Sequence, residues 1–418
     1  MNEDKEKLLA IESIQKKLLG KKLSYREVFA VMDEIAHEKL SDVLTTYFVA
    51  SSFREGYTPQ ELFYFTKAMV ETGNKLKFNG LVADKHSVGG IAGTRTTMII
   101  IPIIAAAGFK IPKISSRAIT TPAGTADVME AIAKVEFTPA QITKIVNEVG
   151  GCVAWNGKLG IAPADDIIIK VEEPLAFESF DKIIISVMAK KVAAGTTHLV
   201  LDIPIGKTAK IHRFSEGEMV AKKFENLAHH FGIKVVCDVN ETLEPAGRGI
   251  GPILEARDVL YVLEQKTDRP LRLEAKSLRL AGKLLDLCYK EKKIKKNGED
   301  EAKKILESGT ALKKFQEIVK AQGGNHKITS DSLELAKNKF DFKSSVSGKI
   351  KDINNYNLNT VAKILGAPND KKAGIYLLKK LDHSVNKNET IFTLYSEDKY
   401  RLKEAEATLK NLPIFKIE

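Results

Sequence analysis

Two short runs, Leu199-Val200-Leu201-Asp202-Ile203 and Ile233-Lys234-Val235-Val236-Cys237, are apolar or β-branched almost throughout, and each is entered after a helical stretch. Such strands have no face to show to water, so helices must cover both sides of the sheet they join and their neighbours must be parallel. Ile111 to Ile114 and Cys152-Val153-Ala154-Trp155 are two earlier runs of the same kind, separated by a helix that opens at Thr138-Pro139-Ala140-Gln141. From Leu81 onward the chain therefore reads as an α/β layer whose reactive loops sit at the strands' carboxyl ends.

The flanking regions differ. The first 75 residues are helical in pattern, with a capping box at Ser24-Tyr25-Arg26-Glu27 and a proline-led helix start at Thr58-Pro59-Gln60-Glu61 that runs to Gly73. Asp181 to Val192 is helical again and is expected to return to the first helices. Beyond Phe340, Ser344 to Ile350 and Thr390 to Tyr395 read as strands around a turn at Gly366-Ala367-Pro368-Asn369-Asp370. The fold class is α/β: a discontinuous small helical domain (1–75 and 165–195), a large α/β domain with a mostly parallel sheet (81–156 and 196–338), and a small α+β C-terminal domain (340–418). The last is read as packing and oligomer support.

At 418 residues the chain exceeds what one core supports. Its longest apolar stretch, Met98 to Ala107, is interrupted by Pro102 and is about half the roughly 20 residues a membrane span needs. Its N-terminus has mixed charge and no cleavage pattern, so a cytoplasmic protein without membrane partners is expected. Cys152, Cys237 and Cys288 lie far apart and read as free thiols, and no metal-ligand spacing surrounds the His229-His230 pair. The net charge of +11 comes from lysines interleaved with glutamates, which fits solvated helix faces and an anionic substrate better than nucleic acid.

Three segments concentrate chemistry. Asp84-Lys85-His86-Ser87-Val88-Gly89-Gly90 places a cation, an imidazole and a hydroxyl before two glycines, as an anion-cradling loop or a tight polar turn would. Lys113 to Asp127 follows a strand with five hydroxyls and Arg117, as an oxyanion cradle or a helix-capping loop would. Ser186 and Lys190 stand four apart on one helix and share a face, either toward a ligand or toward water.

In this order and spacing, and together with Leu159-Gly160-Ile161-Ala162-Pro163-Ala164-Asp165 and Gly247-Arg248-Gly249-Ile250-Gly251-Pro252, the segments resemble the thymidine phosphorylase family. The phrases Ser115-Ser116-Arg117-Ala118-Ile119-Thr120, Ala123-Gly124-Thr125-Ala126-Asp127 and Leu201-Asp202-Ile203-Pro204 are most similar to its branch of archaeal-type AMP phosphorylases. The resemblance implies phosphorolysis of a nucleoside 5'-monophosphate, with inorganic phosphate as co-substrate and no cofactor. It implies that Lys85, Ser87, Thr96, Ser115 and Thr125 hold the attacking phosphate and that His86, Ser186 and Lys190 face the base. Gly90, Ser116, Arg117, Ala118, Ile119, Thr120, Thr121, Thr125, Ser186 and Lys210 fall on nucleotide-binding positions, with Lys210 and Arg117 meeting the 5'-phosphate. Glu178 falls on the proton donor, so Glu178, His86 and Lys190 are the expected acid groups.

Two departures stand out. Glu173 replaces the arginine that the family places before Pro174-Leu175; a carboxylate there would accept from an exocyclic amine such as adenine's, with Lys170 as a substitute cation. The N-terminal domain that assembles this branch into large particles has no counterpart here, which implies a homodimer. A pyrimidine nucleoside phosphorylase and an inactive nucleotide-binding paralogue are the alternative readings. Domain closure is expected, with hinges at 73–80 and 156–157.

Overall fold

The computed structural model describes residues 3–51, 56–118, 121–172 and 179–418. Glu173, Glu178, Ile119 and Thr120 lie outside the described residues. Five parallel strands form the centre: β1 Ala83–Ser87, β2 Ile111–Ser115, β3 Gly151–Trp155, β4 His198–Ile205 and β5 Lys234–Glu241. They pair as β1-β4-β5 and β2-β3, and a parallel bridge from Val82 to Lys110 links the two groups. β4 is buried along its whole length, as an apolar strand in the middle of its group must be. The apolar helix Thr96–Ala106, buried from Thr96 to Ala105, and the helices from Pro252 onward cover one side. On the other side the core runs through Leu199, Leu201 and Phe224 into the N-terminal helices without a break.

Those helices form for the reasons read in the sequence. Ser24 and Thr58 each close a reciprocal cap with Glu27 and Glu61, satisfying amides that a helix start leaves unpaired. Helices Pro163–Glu172 and Phe180–Ala193 pack back onto them. Asn74 at the end of helix Pro59–Glu71 donates to the Leu159 carbonyl at 2.8 Å and, from its amide, to the Gly160 carbonyl at 2.7 Å, which ties this helix to the turn after β3.

The C-terminal region is α+β with antiparallel strands. The single strand expected over Ser344 to Ile350 is instead two, Asn338–Lys343 and Gly348–Ile353, in different sheets. Ser344 explains the break: its hydroxyl donates to the Val346 carbonyl at 2.6 Å, a local turn that competes with the ladder. Gly249–Ile250 joins the edge of this C-terminal sheet, so the Gly247 to Pro252 motif ties the two regions together. The buried thiols of Cys152 and Cys288 and the half-buried Cys237 are free, and burial pushes each up to about 12. Among the described residues no helix is long and apolar enough to cross a membrane, and no cluster of three His, Cys, Asp or Glu could hold a metal.

Candidate active site

The carboxyl ends of β1, β2 and β4 open on a cavity of about 960 Å³ whose far wall is the helical region. β1 runs straight into it. Asp84 and Lys85 are buried strand residues, so the alternative of an exposed polar turn does not hold for them. Register sets Ser87 beside Asp202 of β4, and the Ser87 hydroxyl donates to Asp202 Oδ2 at 2.9 Å. Lys85 Nζ lies 3.8 Å from the same oxygen and donates to Thr96 Oγ1 at 2.9 Å. Lys276 Nζ stands 3.0 Å from Asp202 Oδ1. Burial would raise Asp202, yet Lys276, Lys85 and the Asn240 amide outweigh it and keep the carboxyl below its usual range. Burial brings Lys85 down to about 8, against the pull of Asp202.

Beyond Ser87 the chain turns through Gly89 and Gly90, both with positive φ (88° and 92°). Gly90 also lies under Lys210: a Cβ there would sit 2.9 Å from Lys210 Cγ, so close approach as well as backbone angle requires glycine. Arg95 closes the loop. Its guanidinium donates to Glu255 Oε2 at 2.9 Å, to the Ala123 carbonyl at 2.6 Å and to Thr125 Oγ1 at 3.0 Å, bridging the loop after β1 to the loop after β2.

The second loop is held by Asp127, whose Oδ2 accepts from the amides of Ala118 (2.7 Å) and Gly124 (2.9 Å). Arg117 lines the cavity, but its guanidinium is ion-paired with Glu130, lies 3.6 Å from Asp127, and stacks on Trp155 at 4.5 Å. Its charge is matched by these carboxylates, so it braces the loop on which it stands.

On the helical wall, Lys190 Nζ meets Asp165 Oδ2 at 2.5 Å, and the Ser186 hydroxyl donates to that oxygen at 3.0 Å. His86 projects between the two halves. Burial, then the cations Lys113, Lys191, Lys85 and Lys190, push its imidazole well below the usual histidine range, so the ring is neutral at pH 7.

The cavity wall thus gathers Lys85, His86, Ser87, Gly90, Ser115, Ser116, Arg117, Ala118, Thr121, Thr125, Ser186, Lys190 and Lys210. Thr96 stands behind it, fully buried under Lys85. Sequence reasoning passed over Arg95, Asp165, Asp202, Lys276 and Asn355. A signal existed for Asp202, a carboxylate inside an otherwise apolar strand, whereas Lys276 looks like any lysine of helix Leu271–Lys292. Reading the C-terminal region as packing support also omits Asn355. This buried side chain donates to the carbonyls of Gly90 (2.5 Å) and Thr208 (3.3 Å) and accepts from the amide of Ala92 (3.1 Å). Asn355→Ala frees the loops after β1 and β4, and misplacement of about 1 Å costs up to ~100-fold in turnover. Its expected signature is a raised nucleotide KM in a protein that still melts cooperatively; unchanged kinetics would separate Asn355 from the site.

A cleft with a cation- and hydroxyl-rich floor facing a partly apolar wall defines a protein that brings an anion up to a second group. The comparisons agree with that class. Residues 79–312 match the glycosyl transferase family a/b domain, 11–73 the family's helical bundle domain, and 349–414 the pyrimidine nucleoside phosphorylase C-terminal domain. The chain belongs to the thymidine and pyrimidine nucleoside phosphorylase family. It is 41% identical to an AMP phosphorylase of Methanocaldococcus jannaschii, over 99% of this chain and 82% of that one. It is 40% identical to AMP phosphorylase 1 of Archaeoglobus fulgidus, over 95% and 78%, and 42% identical to a putative thymidine phosphorylase of Rhodopseudomonas palustris, over 93% and 75%. Among solved structures, anthranilate phosphoribosyltransferase (TrpD) from Thermus thermophilus shares the fold, with a TM-score of 0.60 at 19% identity, covering 75% of this chain and 99% of that one.

Proposed function

We propose that this chain cleaves the N-glycosidic bond of a nucleoside 5'-monophosphate with inorganic phosphate, AMP giving adenine and ribose 1,5-bisphosphate. The observation that carries the reading is the division of the cavity: Lys85, Ser87, Ser115 and Thr125 on the α/β side face Ser186, Lys190 and Asp165 on the helical side. In this reading the first group holds phosphate, one of whose oxygens attacks the anomeric carbon as the carbon–nitrogen bond breaks. The base leaves with the bonding electrons and takes up a proton. Positioning and charge stabilisation do most of this work. Lys190 and Glu178 are the proton sources we assign. His86, being neutral, acts as a hydrogen-bonding partner of the base rather than as the acid. Lys210, with the loop from Ser116 to Thr121, takes the 5'-phosphate, while Arg117 anchors that loop. Relatives named AMP phosphorylase support a nucleotide substrate, and the one named putative thymidine phosphorylase favours the second reading, a nucleoside without 5'-phosphate.

Phosphate-dependent base release from AMP, CMP, UMP, thymidine and uridine tests the proposal. Release from monophosphates supports it, release from thymidine or uridine alone moves the assignment to the nucleoside reading, and nucleotide binding without release marks an inactive paralogue.

Lys85 sets the alkaline limb. Its pKa of about 8 leaves the ammonium intact below that pH and neutral above it. kcat/KM for phosphate, which reports the free enzyme, is therefore expected to fall about tenfold per unit above pH ~8. A profile flat to about pH 10 would mean that another cation holds the phosphate.

We also propose a cytoplasmic homodimer. Helices Glu3–Leu18 and Asp42–Ser51 pack together and leave Leu8, Leu18, Val43 and Tyr47 exposed, with Leu19 just beyond, an apolar surface that a second copy of the chain would cover. Sedimentation at twice the chain mass, reduced to one by Val43→Asp, is the expected result.

A further inference from the structure

Helices Pro163–Glu172 and Phe180–Ala193 run antiparallel along the helical wall and are joined by two buried ion pairs. The first, Asp165 with Lys190 at 2.5 Å, belongs to the site already described. The second, Glu172 with Lys182 at 2.6 Å, lies on the same cavity wall and takes no part in the phosphate chemistry. Its side chains are 15% and 11% exposed. An ion pair this buried adds little stability over apolar residues of similar volume, because desolvation offsets the attraction. Its place on the cavity wall therefore calls for another account.

Spacing supplies one. The pairs are seven positions apart on one helix and eight on the other, a separation of about 11 Å at 1.5 Å per residue. The wall between them carries Ile168 and Ile183, an apolar surface on which a flat ring can lie. A flat base with hydrogen-bonding atoms on opposite edges bridges such an interval, one edge at each pair. Glu172 offers an acceptor to an exocyclic amine and Lys182 offers a donor to the adjacent ring nitrogen, the pattern along adenine's far edge.

We propose that Glu172 and Lys182 determine base specificity, reading the exocyclic amine and adjacent ring nitrogen of an amino-bearing base such as adenine and disfavouring a keto base such as uracil. This inference rests on the nucleotide phosphorolysis proposed above and deepens it by naming the base class. A site built to hydrogen-bond a group rejects ligands lacking that group, because its own polar atoms are left unpaired.

The test uses the full chain and two variants: Lys182→Met, and Glu172→Gln/Lys182→Met, which removes both charges so that neither is left buried alone. Binding of free adenine and free uracil is measured by calorimetry, beside KM for AMP, UMP and phosphate. The expected result is adenine binding weakened by about tenfold or more in both variants. Uracil binding and KM for phosphate should change by less than about threefold. Equal losses for adenine and uracil, unchanged adenine binding, or no adenine binding by the unaltered protein would each overturn the proposal. Failure of the unaltered protein to release base from any nucleotide would instead sink the phosphorolysis reading, and base binding would still decide the role of the pair.

Discussion

Lys85→Met is expected to lower phosphate-dependent base release by a factor on the order of 100 to 1,000, the usual effect of removing one preorganised charge donor from a reacting anion. The argument depends on what the substitution leaves behind. Lys85 is 2% exposed, and methionine keeps most of its apolar stem in place. Asp202 is not orphaned, since Lys276 remains 3.0 Å away and the Asn240 amide donates at 2.8 Å. Because removing one partner of a buried pair is severe only when the survivor stands alone, the fold should persist while the phosphate site fails. The expected readout is a steep rise in KM for phosphate with adenine binding intact. Loss of both together would place Lys85 in the scaffold rather than at the phosphate.

Asp84→Asn should do the reverse, destabilising the protein without touching a substrate group. Asp84 is fully buried and is the carboxylate shared by Lys191 at 2.5 Å and Lys113 at 3.6 Å. Lys113 already leans away from its charged form: burial lowers it well below the usual lysine range, with Lys191 and Lys85 adding to the shift and only Asp84 opposing it. Neutralising the carboxylate leaves Lys191 buried with no counter-charge in this cluster, at a cost of about 3–5 kcal/mol. That is a large share of the roughly 5–15 kcal/mol by which proteins are stable. A denaturant midpoint moved by less than about 1 kcal/mol equivalent would show that water reaches this cluster after all.

The two experiments probe opposite sides of β1, one face turned to the phosphate-side charges and the other to the buried Asp84 cluster and His86. Alternation along a strand sends Asp84 and His86 to one face and Lys85 and Ser87 to the other. Asp84 therefore meets Lys113 of β2 and Lys191 of the helical region, while Lys85 and Ser87 converge on Asp202 of β4.

The sequence by itself determined the parallel centre, because strands as apolar as Leu199 to Ile203 have nowhere to lie except between covered faces. It also determined the helix starts at Ser24, Thr58 and Thr138, where the caps are local chemistry within four residues. The segments that meet at the cavity were legible as well, since a hydroxyl- and glycine-rich loop after a strand announces itself by composition. Only the tertiary structure decided which charges are free to meet a ligand. Arg117 is neutralised by Glu130, thirteen positions on, and Thr96 is hidden beneath Lys85. Asn355 reaches the Gly90 loop from 265 positions away, and Lys276 finds Asp202 across a sheet and a helix. Pattern and propensity act over a few residues, whereas the electrostatic state of a buried group depends on every charge within several ångströms, whatever its distance along the chain.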